Sequence, residues 1–268
     1  MKKILMVLAA TVICGACLFT SCKKDEDNSL KLEEKIIGKW IIADKDGQPA
    51  QTNEKNVFNF VSTTKVYKSA SLNEHPEVGS PWHDLMEGDV AISGNKMTIT
   101  IHPDEHTTEF HEFIVTAINA TEFTANHKAT VTADGNVMFS DEDVLRLTKL
   151  TADYSAAILG LWECQELTGI ETYNDANARL EFFDDGNYNY WRKNDNNEWV
   201  AVTNREFQNY FVDGTLLATR WKNIGEPELR EWWEIASLAN GEMQWTALRQ
   251  NEDGTTVEQG MRWTKVSQ

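Results

Sequence analysis

The sequence predicts an all-β fold: two tandem antiparallel β-barrels, each preceded by a short helix, behind an N-terminal secretion signal. Two observations predict it. The first is an internal repeat. Ile36-Ile37-Gly38-Lys39-Trp40 matches Ile158-Leu159-Gly160-Leu161-Trp162 near the start of each half, and Leu145-Arg146-Leu147-Thr148-Lys149-Leu150 matches Met261-Arg262-Trp263-Thr264-Lys265-Val266 at the end. Between them, Ser93-Gly94-Asn95 matches Asp213-Gly214-Thr215, and Phe113, Ile118 and Phe123 match Trp233, Leu238 and Met243, all displaced by 120 positions. An offset held over separate blocks marks a duplicated unit. The second observation is short alternating runs separated by Asp-Gly-type turns, which is the pattern of antiparallel strands.

The chain opens with a signal. Lys2 and Lys3 precede an apolar run from Ile4 to Phe19, broken in polarity only by Thr11. That run is shorter than the ~20 residues a spanning helix needs. Leu18-Phe19-Thr20-Ser21-Cys22 is similar to a lipobox, which makes residues 1–21 the signal and Cys22 the acylated first residue of the mature chain. Cys17, after Gly15-Ala16, is the rival site. Acyl chains of the palmitate type would anchor the protein, each buried CH₂ contributing about 0.8 kcal/mol. Residues 22–29 then read as the lipidated cysteine and a solvated tether. Within it, Lys24-Asp25-Glu26 is similar to the lysine-plus-acidic tag of some cell-surface lipoproteins, so the expected location is the outer membrane, facing outward.

Residues 30–150 and 151–268 are the two expected domains. Leu30 to Ile37 and Ala152 to Leu159 are the expected helices, with Ser29 capping the first and Asp153 or Ser155 the second. Lys96 to His102 alternates, with Met97, Ile99 and Ile101 on one face. Turns are expected at Asp184-Asp185-Gly186-Asn187, Ala133-Asp134-Gly135-Asn136, Val212-Asp213-Gly214 and Asp253-Gly254. The junction at Thr151 to Tyr154 lacks linker composition, which predicts two domains in contact.

Charge and cysteines narrow the function. The formal charge is −17, and removal of Lys2 and Lys3 with the signal takes it to −19. So acidic a chain is a poor partner for nucleic acid. Of four cysteines, Cys14 and Cys17 leave with the signal and Cys22 carries lipid, so Cys164 remains without an intrachain partner. It sits two residues after Trp162 in an apolar run and reads as a buried small hydrophobe.

On the residues Gly38-Lys39-Trp40, Gly160-Leu161-Trp162, Arg146 and Arg262, the chain resembles the lipocalin-like branch of the calycins. The resemblance implies eight-stranded barrels. In that family the first-strand tryptophan closes one end, the last-strand arginine packs across it, and the other end is open. It makes Gly38, Trp40, Arg146, Gly160, Trp162 and Arg262 structural residues and places a ligand in a barrel mouth.

Chemistry is sparse. No hydrolase, phosphate-loop or dinucleotide motif is present, so no enzyme activity and no cofactor are expected. The histidines all lie in the first half; His102 and His106, with Asp104 or Glu105 and His111 nearby, are the best metal-type spacing, but they match no known signature, and no metal is expected. Tryptophans gather in the second half. Because neighbouring strand residues point to opposite faces, Trp232 and Trp233 cannot both face a barrel interior. Tyr188, Tyr190, Trp191, Trp199, Trp221 and Trp232 are the candidate ligand-binding residues, since indole and phenol rings among amides and carboxylates suit sugar rings or protein surfaces. The expected function is therefore a membrane-anchored, non-catalytic binder of a small apolar molecule or a glycan; the alternative is a protein-interaction module of an envelope complex.

Overall fold

A computed structural model describes residues 31–69, 85–170, 177–251 and 253–267. The signal, Cys22 and the tether lie outside the described residues.

The protein is all-β. The first sheet runs β1 (Gly38–Lys45), β2 (Gln48–Pro49), β3 (Val57–Phe60), β4 (Lys65–Ser69), β5 (Leu85–Ser93), β6 (Lys96–Ile101), β7 (Thr107–Ile118), β8 (Glu122–Ala133) and β9 (Asn136–Lys149). From β3 onward each strand pairs antiparallel with the next, β1 pairs with β3, and β1 also pairs with β9. The eight strands β1 and β3–β9 therefore form a closed up-and-down barrel, in which β9 runs on past the end of β1. β2 only folds back on the end of β1. Alternation produces this arrangement directly. In β6, Met97, Ile99 and Ile101 are fully buried while their neighbours are not. The β8–β9 hairpin turns on Asp134 and Gly135, both at positive φ (50° and 77°), the twist that two-residue hairpin turns require.

The second sheet repeats the plan with one break. It comprises β10 (Gly160–Thr168), β11 (Ala178–Phe182), β12 (Tyr188–Lys193), β13 (Trp199–Ala201), β14 (Arg205–Asp213), β15 (Leu216–Asn223), β16 (Glu228–Ala239), β17 (Glu242–Gln250) and β18 (Thr256–Lys265). β10 pairs with both β11 and β18, as β1 does with β3 and β9. The seam matching β4–β5 is different. The short strand β13 takes one end of the outer edge of β12, pairing from Trp191 to Lys193. β14 meets the turn just before β12 at one isolated bridge, Asn187↔Asn209, beside which the Tyr210 N–H donates to Gly186 O at 2.8 Å. The sheet is therefore curled but not ringed: two expected barrels are one barrel and one nearly closed sheet.

Each unit is closed at one end by its Gly-x-Trp motif. Trp40 is fully buried and donates its indole N–H to Ile36 O at 2.5 Å; Trp162 does the same to Ile158 O at 2.6 Å. Gly38 and Gly160 have φ of 122° and 110°, and a Cβ on Gly38 would lie 2.7 Å from Lys149 Cε. Only glycine lets the entering chain turn this close to the last strand.

Two expectations are corrected here. The cation over each tryptophan is a lysine, not the arginine: Lys149 Nζ lies 5.0 Å from the Trp40 ring and Lys265 Nζ 5.2 Å from that of Trp162. Arg146 instead pairs with Asp44 and Glu122, and Arg262 with Glu166. Strand parity explains it. Lys149 is the direct cross-strand partner of Trp40, and Arg146, an odd number of residues away, points to the outer face. The helices also shrink. The first is one turn, Leu32–Lys35. The second is a single turn closed by Ile158 N–H to Tyr154 O, with Asp153 Oδ1 accepting the Ser155 N–H. So short a helix cannot offset its nucleation cost alone, and burial of Leu32, Ile36 and Ile158 holds each turn in place.

The two sheets are in contact. Ile41 and Val57 pack with Leu216 and Leu150, and Phe211, Ala218 and Trp232 join the core cluster of the first barrel. Lys39 bridges to Asp153 (2.6 Å) and Asp213 (2.8 Å), and Lys55 pairs with Glu234. Thr52 Oγ1 accepts the Leu248 N–H at 2.8 Å.

Candidate functional site

The interiors come first, because a ligand in a barrel mouth needs room there. The first barrel is filled by its own rings: Phe58, Phe113, Phe123 and Trp40 stand edge to face along the axis, with centroids 5.1–6.3 Å apart. At the end away from Trp40 the wall residues are polar and paired. Lys68, only 1% exposed, pairs with Glu109; Glu109 Oε1 lies 2.9 Å from His111 Nε2; His111 Nδ1 lies 2.9 Å from His127 Nε2; His127 Nδ1 lies 2.9 Å from Asp143; and Lys45 pairs with Asp143 and Asp141. This chain plugs the end that the resemblance left open.

Electrostatics follow from the pairing. Burial alone would raise the Glu109 carboxyl, but the Lys68 charge and the His111 hydrogen bond overcome it and hold Glu109 well below the usual carboxylate range. Asp143 is lowered in the same way by His127 and Lys45 against its burial. Burial, helped by the Lys68 charge, pushes the His111 imidazole down to about 4. The sequence showed these histidines but not their meeting, because His111 and His127 are joined by strand register rather than by local spacing. The metal-type spacing does not assemble. His102 Nδ1 faces Thr108 Oγ1 at 3.1 Å, and His106 faces Glu105 and Asp134. Among the described residues no group of three or more His, Cys, Asp or Glu side chains is arranged for a metal.

The second sheet is filled as well. Trp162, Phe182, Tyr188, Tyr210, Trp233, Trp245 and Trp263 form one buried cluster. The candidate aromatics divide into three groups. Tyr188 belongs to that core, and burial pushes its phenol far up. Trp232 and Trp233 do face opposite ways, as strand parity requires. Trp232, however, is only 3% exposed, because the first barrel covers it, so it is an inter-sheet packing residue.

Tyr190, Trp191, Trp199 and Trp221 gather around the broken seam, and cations sit on the rings of Tyr190, Trp199 and Trp221. The Arg205 guanidinium lies 4.9 Å from the Tyr190 centroid and 5.4 Å from that of Trp221. Arg179 lies 4.2 Å and Lys193 5.2 Å from Trp199, and Arg192 lies 5.1 Å from Tyr190. Ring faces that could stack on a sugar already hold guanidinium and ammonium groups. Each such contact contributes roughly 0.5–1 kcal/mol at an exposed site, and together they brace a seam that lacks its ladder.

The most exposed apolar surface lies elsewhere. β9 outruns β1: their pairing ends at Lys45↔Leu145, with Asp46 holding Val144 just beyond. From Asn136 to Asp143, β9 pairs on one side with β8 and has no strand partner on the other among the described residues. Val137 (65% exposed), Met138 (69%) and Phe139 (53%) stand on this overhang, and Val144 is exposed at its base. A bulge opposite Val131 and Thr132 takes Met138 out of the ladder. Exposed acids lie at the turn end, Glu105 and Asp134, while Glu142 pairs with Lys128 toward the base. The sequence carries a signal for this overhang. Three consecutive apolar residues after an Asp-Gly turn break the alternation that a one-sided strand should keep.

No protein-family model and no curated protein matches the chain. Among solved structures it is similar to the vaccine antigen transferrin binding protein B of Haemophilus parasuis Hp5. One mutant of that protein gives 10% identity over 83% of this chain with a TM-score of 0.24, and another gives 9% over the same share with 0.22. In both cases the match spans 62% of the other chain, less than two thirds of its length.

Proposed function

We propose that this protein is a non-catalytic envelope lipoprotein that binds another protein through the overhang of β9. It would be anchored by acylated Cys22 at the outer membrane, with its two lipocalin-like units at residues 30–150 and 151–268 held outward. The observation that supports this reading is the open edge itself. Over Asn136 to Ser140 the outer backbone edge has no strand partner among the described residues and offers hydrogen bonds to an added strand, and Val137, Met138 and Phe139 offer apolar side-chain contacts. The acidic rim selects a strand flanked by lysine or arginine. The filled interiors of both units give less support to a small apolar molecule in a barrel mouth, and the cation-covered rings at the seam give less to a glycan.

Site-specific photocrosslinking tests it. A crosslinker at Phe139, in the protein expressed in its own envelope, should give one discrete protein adduct. The same probe at Val200, an exposed apolar residue on β13, should not. The adduct should vanish when Val137 and Met138 become lysine. Equal labelling at both positions, or adducts only with lipid, would remove the reading. An adduct of twice the chain's own mass would make the partner a second copy.

A further inference from the structure

The hydrogen atoms in the plugged end of the first barrel can be counted. Glu109 and Asp143, both held ionised by their cations, can only accept hydrogen bonds. His111 Nε2 faces Glu109 and His127 Nδ1 faces Asp143, so each of those nitrogens carries hydrogen. That leaves His111 Nδ1 and His127 Nε2 facing each other at 2.9 Å. Two bare lone pairs at that distance repel, whereas one proton between them makes an N–H···N hydrogen bond. The two rings thus hold three hydrogens where two neutral imidazoles hold two, and the pair carries one positive charge.

The surroundings balance that charge. From β4 comes Lys68, from β7 Glu109, from β9 Asp143 and Asp141, and from β1 Lys45. With the pair at plus one, these three cations and three anions sum to zero. Phe58 and Phe113 close the apolar side, Phe58 edge-on to His111 at 5.6 Å and Phe113 against His127 at 4.6 Å. Outside, Asp46, Glu112, Lys128 and Glu142 line the groove that His127 and Asp143 reach. Without the shared proton the plug would bury an uncompensated negative charge, which is costly. A second proton would set two N–H groups against each other, in keeping with the depressed His111.

We propose that the His111–His127 pair takes up one proton and keeps it across neutral pH, which makes the first barrel most stable near the pH where ordinary histidine titrates. The sign follows from proton counts in the two states. Above about 6.5 the unfolded chain holds no proton at these positions and the folded pair holds one. Stability therefore falls as pH rises, by about tenfold in the folding constant per pH unit, until the folded pair lets go. Below about 6.5 the unfolded chain holds two protons and the folded pair still one, so stability falls again toward the depressed His111 value.

Urea unfolding of the full-length protein between pH 5.5 and 8.5 tests this, beside His127→Gln. Glutamine can donate to His111 but cannot hold the proton. The wild type should lose about tenfold more of its folding constant per pH unit than the variant between pH 7 and 8.5. Parallel slopes would overturn the proposal. Should the variant not fold, ¹⁵N spectra of the wild-type imidazoles at pH 7.5 decide. Three ring hydrogens on the pair are expected, and two neutral rings would overturn it.

Discussion

Lys149 lies directly across the ladder from Trp40 and caps its ring, and Lys265 does the same to Trp162 in the second unit. Each lysine carries its stem over a fully buried indole and its ammonium to the rim, an arrangement suited to a long amphipathic side chain. Lys149→Ala should cost about 1 kcal/mol of stability through the lost cation–π contact and stem packing. Arg146→Ala should cost less, about 0.5 kcal/mol, because its ion pairs are well exposed to solvent. Gly38→Ala should exceed both, at about 1–3 kcal/mol, since it strains the backbone and meets Lys149. Chemical denaturation of the three variants checks the ranking; Arg146→Ala as the most harmful would restore the arginine cap.

Trp232 and Trp199 should separate cleanly. Trp232 fills space between the two units, so Trp232→Ala should cost about 3–5 kcal/mol, as large core truncations do. Trp199 is half-buried beneath Arg179 and Lys193, and its loss should cost about 1 kcal/mol. Thermal unfolding distinguishes them, and equal effects would refute the assignment of Trp232 to the interface.

Cys164 should be chemically silent while the protein is folded. It is 3% exposed, and burial pushes its thiol up to about 11. At pH 8 the thiolate, the reactive form, is scarce and shielded. A thiol reagent should therefore label Cys164 only after denaturant is added; rapid labelling of the native protein would contradict the burial.

The overhang should tolerate charge. Replacing Met138 and Phe139 with lysine removes exposed apolar surface, and stability should change by no more than about 0.5 kcal/mol. Partner binding should be lost in the same variant. A large loss of stability would mean that the overhang packs against something within the chain.

Much of the fold was legible. The repeat gave both sheets, because the 120-residue offset falls on matching strands: Phe113 in β7 and Trp233 in β16, Phe123 in β8 and Met243 in β17. The Asp134-Gly135 turn and the alternation of β6 were local and therefore readable. The lysine caps lie in the repeated Thr-Lys of the last strands, whereas the resemblance implies Arg146; strand parity favours the lysine. Strand parity put Trp232 and Trp233 on opposite faces, but only docking of the two units shows what covers Trp232. The His111–His127 contact depends on how β7 and β8 align, with Phe113 opposite His127, and spacing along the chain does not reveal such a register. The inserted β13 had no signal, since three residues of strand look like any loop.

The single bridge between Asn187 and Asn209 also decides where the molecule comes apart. A closed ring has no end strand, so loosening the first unit means breaking two ladders at once. The second unit has two ends, β13 and β14, and each can fray by losing neighbours on one side alone. Heat, tension or a protease would thus find a zipper with its tab showing in one half and a hoop without a clasp in the other. Exposed amides should exchange from the seam outward, long before the hoop opens.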